Sequence, residues 1–205
     1  MMSNFEEVLG FELKASNLLY VLCDYETLQK KSLTLEKFVQ ICKNLDVKIV
    51  QYRDKISSNS IQKENLIYLK KSLNIPILIN DKIDLIEFAD GLHLGQEDFE
   101  KIHANKKIAI KLIRNKIGKK LLGLSTHNEV EILEANDLDL DMIGLGAYRN
   151  TTTKNVSTLL GDKITYLAKI SKHPVCAIGG VKIDDKIKNV SFNVVGSDIY
   201  SNIKD

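Results

Sequence analysis

The sequence predicts one α/β domain over residues 1–205, a closed (β/α)8 barrel of the TIM type with shortened C-terminal helices. Three observations carry this expectation. Eight short runs are near-continuously apolar and β-branched, the pattern of parallel strands covered on both faces. Segments of helical period separate most of them, and repeated strand–helix alternation builds right-handed parallel units. At 205 residues the chain is long enough to bury one core, and that length favours the closed barrel over an open doubly wound sheet.

Asn4–Ala15 is amphipathic and is expected to cap the barrel floor or to cover a gap in the helical layer. The first strand is Leu18–Asp24. Leu33–Leu45 places Leu35, Phe38, Val39, Ile41 and Cys42 at helical spacing. The second strand is Val47–Arg53, followed by a helix over Asn65–Leu73. The third strand is Ile75–Asn80, with Pro76 at its start, where a missing N–H is tolerated. A short helix over Asp84–Ala89 precedes strand four, Gly91–Gly95, and strand five is Lys120–Ser125. Asn128–Asn136 begins on an Asn cap and carries Val130, Ile132, Leu133 and Ala135. Strand six is Met142–Ala147, and Ser157–Ser171 is the next helix. Pro174 opens strand seven, Val175–Gly179. Lys182–Asn189 leaves room for a turn or two of helix before strand eight, Phe192–Ser197. Ser201–Asp205 is too short for a full covering helix, so a neighbouring subunit is an alternative cover and a homo-oligomer an open expectation.

Composition narrows the function classes. The net charge is +2, from 29 basic and 27 acidic residues, which is far from the basic excess of a nucleic-acid binder. No apolar run approaches the roughly 20 residues of a membrane span, and the first residues lack a basic-then-apolar leader pattern. Cys23, Cys42 and Cys176 are odd in number, far apart and embedded in apolar runs, so they read as reduced core residues of a cytoplasmic protein.

In such a barrel the reactive groups gather at the strand C-terminal ends. Strand two ends in Gln51, Arg53 and Lys55, which share one direction by alternation; an Arg fork and a compact Lys charge suit a diphosphate. Asp81 ends strand three and Asp98 follows strand four, oxygen ligands that suit Mg²⁺ when phosphate oxygens complete the shell. Each is also a plausible helix cap. Strand five ends in Ser125, Thr126 and His127; after strand six come Thr151, Thr153 and Lys154, hydroxyls and a charge for an anion. Gly179–Gly180 and Gly196–Ser197 stand where phosphate sites of such barrels form. His93, inside a strand, reads as a hydrogen-bonded structural residue, His127 as the one candidate for proton transfer, and His103 and His173 as surface residues.

Taken together, Gln51–Lys55, Asn80–Asp81, His93–Asp98, Gly123–His127, Thr151–Lys154, Ala177–Val181 and Ser197 resemble the thiamine-phosphate synthase (thiamine-phosphate pyrophosphorylase) family, in order and in spacing, from strand two onward. The resemblance implies a transferase of thiamine biosynthesis that joins an aminopyrimidine methyl diphosphate to a hydroxyethylthiazole phosphate and releases pyrophosphate. It implies that Gln51, Arg53, Lys55, Asn80 and Lys154 bind the diphosphate substrate, that Asp81 and Asp98 hold Mg²⁺, and that Ser125 sits by the departing pyrophosphate. It gives the thiazole phosphate to Thr151, Thr153, Gly179, Gly180, Gly196 and Ser197, with Ser125, Lys154 and Arg53 nearest the chemistry. The chain departs from the family pattern at Ala147, Tyr148, Arg149, Gly196 and Asp198, all on the thiazole side, and Arg149 is expected to touch the thiazole phosphate. Two other readings are a thiazole tautomerase on the same barrel, which His127 keeps open, and a non-catalytic protein that binds thiamine phosphates.

Overall fold

The computed structural model describes residues 4–10, 12–13, 16–151 and 158–200. Eight parallel strands close in chain order into a barrel: β1 (Leu18–Asp24), β2 (Val47–Arg53), β3 (Ile77–Asn80), β4 (Gly91–Leu94), β5 (Leu121–Thr126), β6 (Met142–Leu145), β7 (Val175–Ala177) and β8 (Phe192–Val195). Closure is made by β8 pairing with β1, Leu18 opposite Phe192. All eight expected runs form strands, most of them a residue or two shorter than the apolar runs that mark them.

The helices follow as α1 (Asn4–Leu9), α2 (Tyr25–Lys30), α3 (Leu35–Asn44), α4 (Asn59–Ser72), α5 (Gln96–Ile102), α6 (Lys106–Ile117), α7 (Glu129–Ala135) and α8 (Lys163–Ile170). Helix α4 starts six residues before the expected Asn65, because the Ser58 side chain caps it by accepting from Ile61 N. The expected helix at Asp84–Ala89 is a 3₁₀ turn over Ile83–Phe88. Helices α5 and α6, between β4 and β5, went unassigned from sequence. Their signals are Gly95 and Asn105 at the N-cap positions, Asn105 accepting from Lys107 N and Ile108 N. Between β7 and β8 there is no helix among the described residues, where a turn or two was expected, and β8 is followed by a 3₁₀ turn over Ser197–Tyr200; Ser201–Asp205 lie outside the described residues.

Strand alternation divides the core in two. One set of side chains faces the helices: Val21, Val50, Ile79, Leu92, Leu124, Ile143 and Val195 with the apolar faces of the helices. The other fills the lower barrel: Tyr20, Leu22, Ile49, Leu78, Leu121, Met142, Cys176, Phe192 and Val194. Phe5 of α1 belongs to this inner set; its ring lies 5.8 Å from that of Phe192 and is tilted against it. Of the two expected roles for the N-terminal segment, the described part, Asn4–Leu9, takes the first and plugs the floor. Asn4 Nδ2 donates to Asp141 Oδ1 at 3.1 Å, and Asp141 Oδ2 in turn accepts from Leu122 N and Arg114 Nη2. The three cysteines are buried and unpaired. His103 is exposed as expected, but His173 is half-buried, its Nε2 2.9 Å from the Ala135 carbonyl oxygen. Among the described residues no helix is long and apolar enough to cross a membrane.

Because Phe5 closes the inner core rather than lying on it, Phe5→Ala should destabilise the fold by about 3 kcal/mol, the usual cost of truncating a buried Phe. Urea unfolding of the variant measures this.

Candidate active site

The upper barrel is hollow. A cavity of about 730 Å³ opens at the C-terminal ends of the strands, within the range of small-molecule sites. It exists because the inward positions there are small: Gly123, Gly144 and Gly146 face in where large residues would fill the barrel. A Cβ on Gly123 would sit 2.6 Å from His93 Nδ1, and one on Gly144 would sit 3.1 Å from His93 Cε1. His93 is thus a buried wedge between β5 and β6, and burial lowers its pKa to about 4, so the imidazole is neutral near pH 7. Its Nε2 lies 3.0 Å from Ser125 Oγ. The structural reading of His93 holds, with the addition that it orients a cavity residue.

Gln51, Arg53, Lys55, Asn80, Asp81, Asp98, Ser125, Thr151, Gly179, Gly180, Gly196 and Ser197 all line this cavity. Thr153 and Lys154 lie outside the described residues.

Three of these residues, Gln51, Asn80 and Asp81, are joined with Tyr20 of the inner core in a directed hydrogen-bond chain. The buried Tyr20 hydroxyl donates to Gln51 Oε1 at 2.6 Å, Gln51 Nε2 donates to Asn80 Oδ1 at 2.8 Å, and Asn80 Nδ2 donates to Asp81 Oδ2. An ionised carboxylate only accepts, so Asp81 fixes the amide orientation of Asn80, which fixes that of Gln51. Asp81 sits at φ 62°, in the left-handed region that Asp tolerates better than most residues. It is therefore not a helix cap; the turn aims its carboxylate across the mouth toward Asp98 in the first turn of α5.

Burial, and then the negative charge of Asp98, raise the proton affinity of Asp81, while Lys55 at 3.4 Å and the Gly95 N–H oppose that shift. Two carboxylates that line one cavity, one within the electrostatic reach of the other, favour a hard cation. The donors are oxygen only, and no cluster of three or more His, Cys, Asp or Glu gathers among the described residues. That set fits Mg²⁺, which keeps several waters and takes phosphate oxygens, better than a metal needing an all-protein cage. Asp81 and Asp98 are the residues that would hold it.

Sequence reasoning missed Asp24. It ends β1 directly opposite Arg53 in the strand register, and its carboxylate pairs with Arg53 Nη1 while capping α2 through Thr27 N. Arg53 is therefore braced from behind by a buried acid. The signal was present: β1 ends in a carboxylate as β3 does. Gln96 was also missed; it lines the cavity and donates from Nε2 to the Ser125 carbonyl at 2.7 Å. His127 and Glu131 line the cavity too, with His127 Nδ1 2.9 Å from Glu131 Oε2.

Arg149 does not take its expected place. It is not among the residues lining the cavity; its guanidinium is committed to Asp185, Nη1 to Oδ2 at 2.6 Å and Nη2 to Oδ1 at 2.9 Å. A bidentate carboxylate partner satisfies the fork and holds it away from the cavity.

A family model described as thiamine monophosphate synthase matches residues 19–196, which span all eight strand ends. The chain belongs to this family. It is 32% identical to a thiamine-phosphate synthase of Persephonella marina over 186 residues, covering 86% of this chain and 84% of that one. It is likewise 32% identical to a thiamine-phosphate synthase of Clostridium acetobutylicum over 192 residues, 90% and 86% of the two chains. Among solved structures, a thiamine phosphate pyrophosphorylase from Pyrococcus furiosus superimposes with a TM-score of 0.68 at 22% identity, over 88% of this chain and 85% of that one. A (S)-3-O-geranylgeranylglyceryl phosphate synthase from Thermoplasma acidophilum gives 0.65 at 10% identity, over 99% and 94% of the two chains; that likeness is one of fold.

The Tyr20 chain yields a prediction. Tyr20→Phe leaves a buried acceptor on Gln51 without its donor and should cost about 1–3 kcal/mol of stability. A denaturation midpoint equal to that of the unsubstituted protein would show that Gln51 re-pairs.

Proposed function

We propose that the protein is a thiamine-phosphate synthase, a transferase that joins 4-amino-2-methyl-5-pyrimidinylmethyl diphosphate to 4-methyl-5-(2-hydroxyethyl)thiazole phosphate in thiamine biosynthesis. One observation carries the reading: two cations, Arg53 and Lys55, and two carboxylates, Asp81 and Asp98, converge on one side of a single cavity in a chain of this family. That is the equipment for a metal-bound diphosphate leaving group. Both substrates are small molecules, and a cytoplasmic location suits their supply.

The reaction breaks the C–O bond between the pyrimidine methylene and the diphosphate, and the electron pair leaves with pyrophosphate. The electron-rich aminopyrimidine stabilises the cationic carbon that results. The lone pair of the thiazole nitrogen then forms the new C–N bond, and thiamine phosphate carries the positive charge. No protein nucleophile and no net proton transfer are required. The protein's contribution is charge stabilisation and alignment. Arg53, braced by Asp24, presents its remaining N–H groups to the diphosphate, and Lys55 adds a compact charge. Gln51 and Asn80 offer oriented amides to the pyrimidine diphosphate, and Lys154 adds a further charge. Ser125, whose Oγ lies 3.0 Å from His93 Nε2, donates its hydroxyl to the departing pyrophosphate in this reading. Mg²⁺ held by Asp81 and Asp98 would neutralise leaving-group charge. The thiazole phosphate falls to the opposite wall, to Thr151, Gly179, Gly180, Gly196 and Ser197, with Thr153 assigned to it by family membership alone.

A second reading rests on the His127–Glu131 pair, a hydrogen-bonded imidazole and carboxylate at the cavity wall that suits proton transfer in a thiazole tautomerase. Incubating the pure protein with both substrates and Mg²⁺ distinguishes the two. Thiamine phosphate and pyrophosphate in equal amounts support the synthase. Isomerisation of a thiazole carboxylate phosphate without them supports the tautomerase.

Two variants test the assigned roles. Asp98→Ala should lose most synthase activity with an unchanged unfolding midpoint, because Asp98 lies at the rim; full activity in the variant, or in excess chelator, would remove the metal from the scheme. Arg53→Lys keeps the charge but not the fork, so it cannot hold Asp24 and the diphosphate together. Calorimetry should show pyrimidine diphosphate binding weakened by about 1–3 kcal/mol.

A further inference from the structure

In barrels of this kind a phosphate site after strands seven and eight is usually backed by the N-terminus of a short helix. Here the described residues between β7 and β8 form turns only, and the one short helical segment nearby is the 3₁₀ turn Ser197–Tyr200 after β8. Gly179 and Gly180 nevertheless line the cavity at φ 87° and 62°. They are packed hard against the loop after β6. A Cβ on Gly179 would lie 2.5 Å from Ala147 Cβ, and one on Gly180 would lie 2.5 Å from the Asn150 carbonyl oxygen.

Arg149 holds this contact from the outside. Its backbone N–H donates to the Gly179 carbonyl at 2.8 Å and its Nη1 to the Gly180 carbonyl at 3.2 Å. Its guanidinium stacks 4.2 Å from the centre of the Tyr148 ring and forks onto Asp185. Asp185 in turn accepts from Lys182 N at 2.8 Å, and its own carbonyl accepts from Asn193 Nδ2 of β8 at 2.8 Å. Asp198, after β8, accepts from Ile183 N at 3.2 Å. The hydrogen bonds from Arg149, with the Lys182 N–H and the Arg149 charge, hold the Asp185 carboxyl below its ordinary range, so the pair stays ionised at neutral pH. Tyr148, Arg149 and Asp198, three departures from the family pattern, thus belong to one network that ties the loops after β6, β7 and β8.

We infer that Arg149 and Asp185 are a positioning pair that holds the Gly179–Gly180 turn in the shape of an anion cradle, and that they set the affinity for the phosphate-bearing substrate without touching it. This rests on the synthase reading for the identity of that substrate, a thiazole phosphomonoester. The pair's own effect on the turn is independent of it.

Arg149→Ala, Asp185→Ala and the exchanged pair Arg149→Asp/Asp185→Arg separate the possibilities. Arg149 is 43% exposed at the rim, so its truncation leaves the barrel core intact. Each single variant should raise the Michaelis constant for the thiazole phosphate about tenfold, roughly 1.4 kcal/mol. The constant for the pyrimidine diphosphate should stay within about twofold, and the exchanged pair should recover part of the loss. Amide hydrogen exchange over residues 178–186 of the ligand-free protein should accelerate in the single variants and slow again in the exchanged pair. An unchanged thiazole constant, or equal rises for both substrates, overturns the assignment. Absence of turnover in the unsubstituted protein would instead defeat the synthase reading, and the exchange measurement would then decide the pair's role: protection unchanged by either truncation overturns it, and accelerated exchange sustains it.

Discussion

The interior of an eight-stranded barrel is just wide enough to be filled by side chains. A ligand can enter only where side chains have been removed, and this constraint organises the molecule. In the lower barrel, Tyr20, Phe192, Met142 and Leu121 fill the space and Phe5 plugs the end. Gly91 lets β4 approach β5 there; a Cβ on it would come within 2.7 Å of Leu121 Cβ. Higher up, the inward positions of β5 and β6 become Gly123 and Gly144, and the freed volume is given to one imidazole and an open cavity. The boundary between packed floor and open mouth runs through His93. It is tight on the side where it packs and hydrogen-bonded on the side where it meets Ser125.

Above that boundary, electrostatics takes over from packing. On one wall, charges of opposite sign alternate around the rim: Asp24 beside Arg53, Lys55 beside Asp81, Asp98 beside Lys101. Each of these three carboxylates has a cation within reach, yet burial and the nearby Asp98 charge still raise the proton affinity of Asp81. A bound cation would relieve that repulsion, and an anionic substrate would take up the free capacity of Arg53 and Lys55. The opposite wall offers glycines and hydroxyls, its nearest arginine facing outward to Asp185. A doubly charged leaving group with a metal therefore suits the first wall, and a phosphomonoester held through neutral donors suits the second.

The strands were legible because parallel barrel strands are buried on both faces, which leaves a run of Val, Ile and Leu that nothing else in the chain imitates. Several rim residues were legible because their runs end abruptly in a polar group, as at Arg53, Asn80 and Ser125. What escaped were the relations between strands. That Asp24 stands opposite Arg53 depends on the register of β1 against β2, which no spacing along the chain reveals. The Tyr20–Gln51–Asn80–Asp81 chain crosses three strands and is equally invisible. Helices α5 and α6 went unassigned for another reason: α5 is only Gln96–Ile102, and the Lys-rich face of α6 interrupts its apolar stripe of Ala109, Ile110, Ile113 and Ile117.

Arg149 shows most clearly why a residue's neighbours in space must be known before its role is assigned. From sequence, a lone arginine close to a phosphate site reads as a phosphate ligand. In the fold, Asp185 lies 36 positions away in the chain and meets it in a two-point contact. A guanidinium held by a carboxylate fork has its charge compensated and two of its five N–H groups occupied, so it has less to offer an anion than a free one. What it gains is rigidity, and the loop it holds is the β7–β8 connection, whose described residues contain no helix. The departures at Tyr148, Arg149 and Asp198 are therefore coherent: Arg149 stacks on Tyr148 and holds the two glycines, and Asp198 ties the same β7–β8 loop to the end of β8 through Ile183 N.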